Sequence, residues 1–291
     1  MQYNVCVVMS TYNGEKYLAT QIDSLLQQEG VNLLLYIRDD GSSDNTPCIL
    51  KEYSESHDNI VISIENNIGF RKSFLKALKD APDCDYYGFC DQDDYWYPNK
   101  LFDTLSLLRK SQASLAFGNA IVTDEKLEGD SLLYSEIRVP SFPESLTASN
   151  THGFLFCFDK RLRDLAIRLS VDLFNIPHDF WLVTLASLFG SISYDNNMVV
   201  AKYRRLPNSV SRYRPILLLL KRIEALFVDR GIVVQYSKYI LKFYSDVLTP
   251  ENRRLVTACA YYKEDKKSKK YLLNSKYIKK KYKIKVILNR L

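Results

Sequence analysis

The chain has 291 residues, of which 46% are apolar and 25% charged, and its net charge is +6. These values are typical of a globular protein and exclude a disordered, collagen-like or disulfide-stabilised chain. The charge is unevenly divided, because residues 263–291 carry 12 Lys or Arg and 2 Asp or Glu, while the rest of the chain is mildly acidic. A strongly basic terminal segment favours an anionic partner such as a phospholipid surface, a nucleic acid or another polyanion.

The first third of the chain alternates short apolar runs with amphipathic segments. We predict strands at Tyr3–Met9, Leu33–Arg38, Ile60–Ile64 and Tyr86–Cys90, and helices at residues 15–28, Thr46–Ser54 and Lys72–Lys79. This alternation predicts an α/β fold with a Rossmann-like, mostly parallel sheet flanked by helices. Sheets of this kind bind ligands beyond the carboxyl ends of their strands.

The second half of the chain continues this pattern less regularly. We predict helices at Lys100–Gln112, Arg161–Leu169 and Phe180–Leu188, and strands at Leu115–Val122, Gly153–Phe158 and Met198–Tyr203. Residues 131–150 are polar and irregular, which is typical of a loop beside a binding site. From Arg214 onward the chain is predicted to be helical, ending in the basic tail. We therefore expect one domain at 1–212, with halves at about 1–112 and 113–212, and a helical C-terminal extension at 213–291.

The cysteines and the apolar runs indicate the cellular compartment. The six cysteines form no C-x-x-C pair and lie mostly in apolar runs, which is typical of free thiols in a reducing environment. The N-terminal residues lack the pattern of a secretory signal. No apolar run approaches the ~20 residues of a membrane-spanning helix. We expect a cytoplasmic protein, either soluble or peripheral to a membrane.

Polar and acidic residues follow three of the predicted strands directly, at Ser10–Asn13, Asp39–Asp40 and Asp91–Asp94. The carboxyl ends of parallel strands meet at one sheet edge, so these groups should converge there. Clustered carboxylates repel one another unless a cation or several donors hold them, and a D-x-D spacing of oxygen ligands suits Mg²⁺ or Mn²⁺. The sequence therefore predicts a divalent-metal site, with a plain acidic turn as the alternative.

Four ordered sequence blocks resemble the family 2 inverting glycosyltransferases, which have a GT-A fold. These blocks read VVMSTYNGEKYLATQIDSLLQQ, IRDDGSSDNT, ENNIGFRKSF and FCDQDDYWYPNKL. The resemblance continues through HGFLFCFDKRL and PHDFWLVTLASLFGSISYDNNMVVAKYR and covers about residues 3–205. The combination of D-Q-D-D-x-W with H-D-x-W is similar to bacterial rhamnosyltransferase-like enzymes of surface-polysaccharide synthesis.

That resemblance implies an activity. The chain would move rhamnose or a hexose from a dTDP- or UDP-sugar to a saccharide or lipid-linked acceptor, with Mg²⁺ or Mn²⁺ as cofactor. Residues 131–150 would then form an acceptor-side loop. One carboxylate base opposite the leaving diphosphate is consistent with inversion at the sugar.

The resemblance also implies roles on the donor side. Thr11 and Tyr12 would line the nucleotide pocket. Asp39 would accept a hydrogen bond from the imide N–H of a pyrimidine base, with Asp40 supporting that loop. Arg71 would lie near the base or the diphosphate.

Further roles concern the sugar and the cation. Asp91 would hold a ribose or deoxyribose hydroxyl, Asp93 would bind the metal, and Asp94 would face the sugar. Asp179 would be the general base for the acceptor hydroxyl. The pocket for sugar and acceptor would be formed by Trp96, Gly153, His178 and Trp181.

A purely structural role is the alternative for six of these side chains: Asp39 and Asp40 as turn or cap residues, Asp179 as a helix cap, Arg71 as a surface partner, and His178 and Trp181 as core. His57 and His152 are expected to have no role in the site.

Two positions depart from the family pattern. Leu206 stands where related enzymes carry a His in Y-R-x-H-x-x-N, so Arg204 or Arg205 would have to replace it. Asn119 stands where a strand-end Asp is common. These departures leave donor identity and metal dependence open.

Two other function classes compete with a glycosyltransferase. A nucleotidyltransferase should show a Gly- and Lys- or Arg-rich phosphate loop, which Ser10–Glu15 is not. A degenerate, non-catalytic GT-A protein could serve as a membrane or polyanion scaffold. The tail at Lys276–Leu291 interleaves lysines with apolar residues, which predicts docking on an anionic membrane. A solvated tail is the alternative, and we expect no nucleic-acid partner, because nothing else in the chain resembles a nucleic-acid module.

Overall fold

The computed structural model describes residues 3–137, 139–147, 151–171, 176–206 and 231–291. The chain divides into two units, Met1–Val139 with Thr151–Pro207 and Pro140–Asn150 with Asn208–Leu291. The predicted boundary at 212/213 lies outside the described residues. The segment Pro140–Asn150, which we expected in the first domain, belongs to the second unit.

Within the described part of the first unit, nine strands form one sheet. They are β1 (Tyr3–Thr11), β2 (Val31–Asp39), β3 (Ile60–Ile64), β4 (Tyr86–Cys90), β5 (Tyr95–Trp96), β6 (Leu115–Thr123), β7 (Ser131–Leu132), β8 (Phe156–Asp159) and β9 (Ile192–Arg204). Their order is β3-β2-β1-β4-β8-β6-β9-β5, and β7 pairs with β6. The strands β3, β2, β1 and β4 are all parallel. Beyond β4 the sheet is mixed, because β8 is antiparallel to both β4 and β6.

Some of the helices flank this sheet, and the others form the second unit. They are α1 (Leu18–Leu26), α2 (Thr46–Ser56), α3 (Phe70–Asp80), α4 (Lys100–Lys110), α5 (Phe142–Ser145), α6 (Lys160–Ala166), α7 (His178–Phe189), α8 (Ile232–Tyr244), α9 (Pro250–Tyr261), α10 (Lys266–Asn274) and α11 (Lys280–Ile287). A short 3₁₀ turn at Gly153–Leu155 replaces the first half of a predicted strand. The predicted α/β fold with flanking helices and a helical C-terminal part agrees with these elements.

Burial explains why the central strand β1 has a continuous apolar sequence. Every side chain from Val5 to Met9 in β1 is wholly buried. Helices cover both faces of a parallel sheet, so its central strands have no solvent-facing side. In α1 the buried apolar residues Leu18, Ile22 and Leu25 recur at helical spacing, so this helix presents one apolar face to the core.

The second unit has its own apolar core. Helix α8 buries Tyr236 and Ile240, while α9 buries Leu255 and Cys259. The predicted helical region is confirmed from residue 232, and its part before residue 231 lies outside the described residues. Across the ranges that the structure describes, no helix combines the length and the apolar character of a membrane span.

Candidate functional site

A cavity of about 590 Å³ lies at the carboxyl ends of β1, β2 and β4. Its walls also include the N-terminal turns of α3 and α7. The lining residues are Ser10, Thr11, Tyr12, Asp40, Asn67, Gly69, Phe70, Phe74, Asp91, Gln92, Asp93, Pro177, His178 and Asp179. The polar and acidic residues that follow these three strands therefore converge, as the sequence predicted.

The ends of β1 and β2 are joined by hydrogen bonds between side chains. Thr11 and Asp39 are opposite each other in the register, and the Thr11 hydroxyl donates to Asp39 Oδ1 at 2.8 Å. Ser42 donates to the same carboxylate from its hydroxyl at 2.5 Å and from its backbone N–H at 2.9 Å. The Asp39 side chain is wholly buried, whereas Tyr12 is 50% exposed on the cavity wall. Contact between Asp39 and a nucleotide base thus stays a prediction. The ring of Tyr12 is accessible from the cavity.

Asp40 belongs to a buried ion pair that sequence reasoning missed. Arg38 Nη1 lies 2.6 Å from Asp40 Oδ1, and both side chains are almost wholly buried. The same guanidinium donates to Ser73 Oγ at 2.8 Å on α3. Asp40 also accepts the backbone N–H groups of Ile68 and Gly69, at 2.8 and 2.9 Å. The pair fixes the turn before α3 against the end of β2. The sequence LLLYIRDD, an apolar run followed by three charged residues, gives no sign that the Arg38 side chain is buried.

The acidic turn, residues 91–94, is tied to β1 through Gln92. Its side-chain amide accepts from Tyr12 N at 2.8 Å and donates to Tyr12 O at 3.1 Å. Asp91 and Asp93 line the cavity. Asp94 does not: it is wholly buried and accepts the backbone N–H of Arg204 at 2.9 Å. The expectation that Asp94 faces the sugar is therefore corrected, because its carboxylate points at the end of β9.

The carboxylates of this turn share a strongly negative environment. Burial raises the pKa of Asp91 to about 7, and the charges of Asp93 and Asp179 add to the shift. Burial also raises the pKa of Asp93, against the lowering effect of Arg204. Such carboxylates gain most from a cation or from proton uptake. Within the described residues, no cluster of three or more His, Cys, Asp or Glu side chains is arranged to hold a metal ion. Asp91 and Asp93 still fit Mg²⁺ or Mn²⁺, since these ions take one or two carboxylates and leave other positions to water and phosphates.

Another part of the cavity wall is formed by the first turn of α7. Pro177 is the N-cap residue and Asp179 lies in the first turn, accepting from Phe180 N at 2.7 Å. Asp179 is thus not the helix cap. His178 stacks on Phe74, with ring centroids 4.0 Å apart, and meets the edge of Phe89 at 4.6 Å. Burial lowers the pKa of His178 to about 4, so its imidazole is neutral at pH 7.

Gly153 lies against this wall rather than on the cavity surface. An added Cβ would stand 2.6 Å from His178 Nε2 and 3.2 Å from Asp179 Cβ. The glycine therefore allows the 3₁₀ turn to approach α7 closely. His152 beside it, expected to be unremarkable, has its Nδ1 2.5 Å from the hydroxyl of Tyr134.

Both tryptophans belong to the core, which corrects the expectation that they form the sugar pocket. Trp181 is 1% exposed and its indole N–H donates to Ala166 O at 3.1 Å. Trp96 is wholly buried, with the ammonium of Lys100 3.4 Å from its ring centroid. Neither lines the cavity, because each side chain points to the interior of the sheet and helix layers.

Phe70 is a cavity residue that the sequence did not single out. It is 59% exposed at the start of α3, and the guanidinium of Arg71 lies over its ring at 5.4 Å. Arg71 itself is half-buried and is not among the cavity-lining residues. The glycine before Phe70 has a positive φ of 84°, which is the local signal for this turn.

The departure at residue 119 has a structural reason. Asn119 Nδ2 donates to Tyr134 O at 2.8 Å, and its Oδ1 accepts from Tyr134 N at 3.1 Å. An ionised Asp has no donor for the first of these bonds. Asn119 thus fastens the segment at residue 134 to β6 and is remote from the cavity wall.

The chain was compared with known families and proteins. The model of "Glycosyl transferase family 2" matches residues 6–163, more than half of the chain. The dTDP-rhamnosyl transferase RfbG of Shigella flexneri is 36% identical over 118 residues, which are 39% of this chain and 41% of that protein. The putative teichuronic acid biosynthesis glycosyltransferase TuaG of Bacillus subtilis is 28% identical over 71% of this chain and 81% of its own length. The UDP-Glc:alpha-D-GlcNAc-diphosphoundecaprenol beta-1,3-glucosyltransferase WfgD of Escherichia coli is 32% identical over 44% of this chain. The chain spans about half or less of RfbG and WfgD, at 41% and 50% of their lengths.

Solved structures share the fold. S. aureus TarS 1-349 in complex with UDP-GlcNAc superposes with a TM-score of 0.61 at 19% identity, over 95% of this chain and 76% of that one. The mannosyltransferase PcManGT from Pyrobaculum calidifontis, in complex with GDP-Man and Mn²⁺, gives a TM-score of 0.55 at 16% identity, over 90% and 70% of the two chains. At these identities the likeness concerns the fold alone, and together with the family match it confirms the predicted GT-A type fold.

Proposed function

This chain belongs to glycosyl transferase family 2 and is a glycosyltransferase, and from that premise we propose that it transfers rhamnose or a hexose with inversion. The donor would be a dTDP- or UDP-sugar, and the acceptor a saccharide or lipid-linked saccharide of surface-polysaccharide synthesis. Relatives named for dTDP-rhamnosyl and UDP-glucosyl transfer support this donor class. The observation that carries the proposal is the meeting of Asp91, Asp93 and Asp179 on one cavity.

The donor would bind on the side of β1, β2 and the acidic turn. The exposed ring of Tyr12 can stack on a base, and Thr11 with Asp39 would select a pyrimidine. A carboxylate at that point accepts from the imide N–H of uracil or thymine, whereas N3 of cytosine is itself an acceptor. Asp91 would accept from a ribose or deoxyribose hydroxyl, and Arg71 would lie near the diphosphate.

Asp93, with Asp91 beside it, would hold Mg²⁺ or Mn²⁺. Such an ion supplies Lewis-acid stabilisation to the leaving diphosphate when it is bound. A cation would also relieve the repulsion that, together with burial, raises the pKa of Asp91.

Asp179, in the first turn of α7 on the cavity wall, would take the proton from the acceptor hydroxyl. The attacking oxygen would then displace the nucleoside diphosphate in a single step, which inverts the anomeric carbon. His178, neutral and packed between Phe74 and Phe89, would hold the first turn of α7 in place.

We also propose that the enzyme works peripherally at the cytoplasmic membrane face, docked through its basic tail. Helix α11 exposes Ile284 and Ile287, and Leu288 directly after the helix is also exposed, with lysines between them in the sequence. A basic helix with exposed apolar side chains lies in a membrane interface, where lipid-linked acceptors are found.

A thermal-shift panel tests the proposed donor class. UDP-, dTDP- and GDP-sugars are each added with Mn²⁺ or Mg²⁺. A ligand at a hundred times its dissociation constant raises stability by about 2.7 kcal/mol. We expect this for a UDP- or dTDP-sugar and a smaller shift for GDP-sugars. A scaffold without catalytic function is distinguished by hydrolysis of the nucleotide sugar: the enzyme should show hydrolysis that depends on Asp93, and the scaffold none.

The variant Asp93→Asn is expected to lose the metal-dependent part of the shift and to abolish transfer while keeping the unliganded melting temperature. Exposed Asp130→Asn serves as the matched control. Wild-type turnover in Asp93→Asn would contradict the metal assignment.

A further inference from the structure

Arg204 is the last residue of β9 and is only 6% exposed. Its backbone N–H donates to Asp94 Oδ1 at 2.9 Å, and its Nε donates to the backbone carbonyl of Asp93 at 2.7 Å. One residue therefore binds two consecutive residues of the acidic turn, once through its main chain and once through its side chain.

The rest of the guanidinium is anchored away from the cavity. Its Nη1 donates to the carbonyl of Glu125, and its Cζ lies 4.5 Å from the ring centroid of Tyr17. Tyr17 in turn donates its hydroxyl to the Glu125 carboxylate at 2.9 Å. The side chain is thus fixed at both ends, between the acidic turn and the loop after β6.

These contacts argue against a direct role toward the substrate. Arg204 is not among the residues that line the cavity, and its Nε and Nη1 already donate to backbone carbonyls. The planar fork of an arginine suits this task, because it offers several donors in a fixed geometry together with a face for aromatic stacking. A lysine keeps the charge but not the fork.

We propose that Arg204 is a positioning residue, which holds the acidic turn so that Asp91 and Asp93 face the donor. The inference rests on the proposed function, since it concerns the turn to which donor and cation are assigned there. Arg204 would act through the backbone of residues 93 and 94, and its charge would offset part of the negative potential of the turn.

The first measurement needs no ligand. Hydrogen–deuterium exchange is compared for wild type, Arg204→Gln and Arg204→Lys. The control is Lys202→Gln on the same strand, whose ammonium donates to Leu127 O at 3.0 Å without touching the acidic turn. We expect exchange in residues 91–96 to become about tenfold faster in Arg204→Gln, the effect of losing roughly one net hydrogen bond. Exchange in β1 should stay unchanged, Arg204→Lys should lie between the two, and the control should match wild type.

The second measurement follows Mn²⁺ and nucleotide affinity by calorimetry, together with kcat and KM. Arg204→Gln should weaken Mn²⁺–nucleotide binding and lower kcat by about tenfold or more, since a small misplacement of catalytic groups is costly. The KM of the acceptor should remain within about twofold of wild type, because Asp179 and α7 are untouched.

The outcomes separate the two proposals. Unchanged exchange in residues 91–96 of Arg204→Gln overturns the positioning role even if the enzyme is active. A selective rise in acceptor KM also overturns it, as does failure of both variants to fold, which would make Arg204 a general stability residue. A wild type that binds no nucleotide sugar refutes the proposed function, while the exchange data still decide the role of Arg204.

Discussion

At the scale of single residues, Asp179 is the cavity carboxylate that no donor-side role requires. We expect Asp179→Asn to lower kcat by about 10²–10⁴-fold, the range for removing a general base. The KM of the nucleotide sugar should stay near the wild-type value, because the residue lies on the wall formed by α7. Steady-state release of the nucleoside diphosphate measures both constants, and exposed Asp58→Asn is the control. A loss of donor affinity would instead assign Asp179 to donor binding.

Single residues also mark the limit of sequence-based prediction. Asp91 and Asp93 were found because a carboxylate directly after a buried strand must lie at the sheet edge. Trp96 and Trp181 were misassigned because an aromatic residue near a site has the same spacing whether it faces the ligand or the core. Arg38 was missed because its burial depends on Asp40, Ser73 and the carbonyl of Asn66, which come from three different segments.

At the scale of elements, the buried pair of Arg38 and Asp40 connects β2 to α3. We expect Arg38→Met to lower the free energy of unfolding by about 3–5 kcal/mol, since removing one partner leaves the other charge buried and unpaired. Urea denaturation followed by circular dichroism measures the loss. The control is Lys160→Met, whose pair with Asp83 is exposed and is expected to contribute little to stability. A loss no larger than that of the control would mean that the pair does not hold α3.

The approach of the Gly153 turn to α7 gives a second prediction for the elements. In Gly153→Ala the new methyl group would meet His178 Nε2 and Asp179 Cβ at 2.6 and 3.2 Å, so the His178 side chain, the 3₁₀ turn or the first turn of α7 must shift. We expect transfer to fall by about 10²-fold, the cost of misplacing a catalytic group by ~1 Å. Binding of the nucleotide sugar, measured by thermal shift, should remain.

Ser187→Ala, at the other end of α7, is the control for that variant. If Gly153→Ala transfers sugar at the wild-type rate, the geometry of this wall does not limit the reaction.

The limits of strands are predicted well where a single sequence pattern, an apolar run between polar residues, marks them. Ile60–Ile64 and Tyr86–Cys90 were predicted with their observed limits, because each is an apolar run bounded by polar residues. The run at residues 153–158 is equally apolar, yet it begins as a 3₁₀ turn packed on α7. An apolar run indicates burial, but it cannot distinguish a buried turn from a strand. The antiparallel insertion of β8 between β4 and β6 likewise depends on pairing that lies outside any local pattern.

At the scale of the whole molecule, the candidate site and the basic tail lie in different units. The family match at residues 6–163 and the cavity both lie in the first unit, apart from the short segment Pro140–Asn150. The basic residues of 263–291 lie in the second. This division suits an enzyme in which a mildly acidic unit carries out the reaction and a basic helical unit binds to a surface.

The proposed attachment leads to a prediction for the full chain. The paired substitution Ile284→Ser with Ile287→Ser removes two side chains that are 44% and 58% exposed. If both insert into a bilayer, their loss costs about 3 kcal/mol, which is more than a hundredfold in affinity. Co-sedimentation with vesicles of phosphatidylcholine and phosphatidylglycerol measures the change. Binding should also weaken as salt is raised, because the lysines of the tail contribute about 1 kcal/mol each near an anionic surface.

The control is Val61→Ser with Ile64→Ser, which removes similarly exposed apolar groups from the edge strand β3. Equal binding by both double variants and wild type would show that α11 does not insert, and salt-independent binding would exclude the lysines as the attractive element.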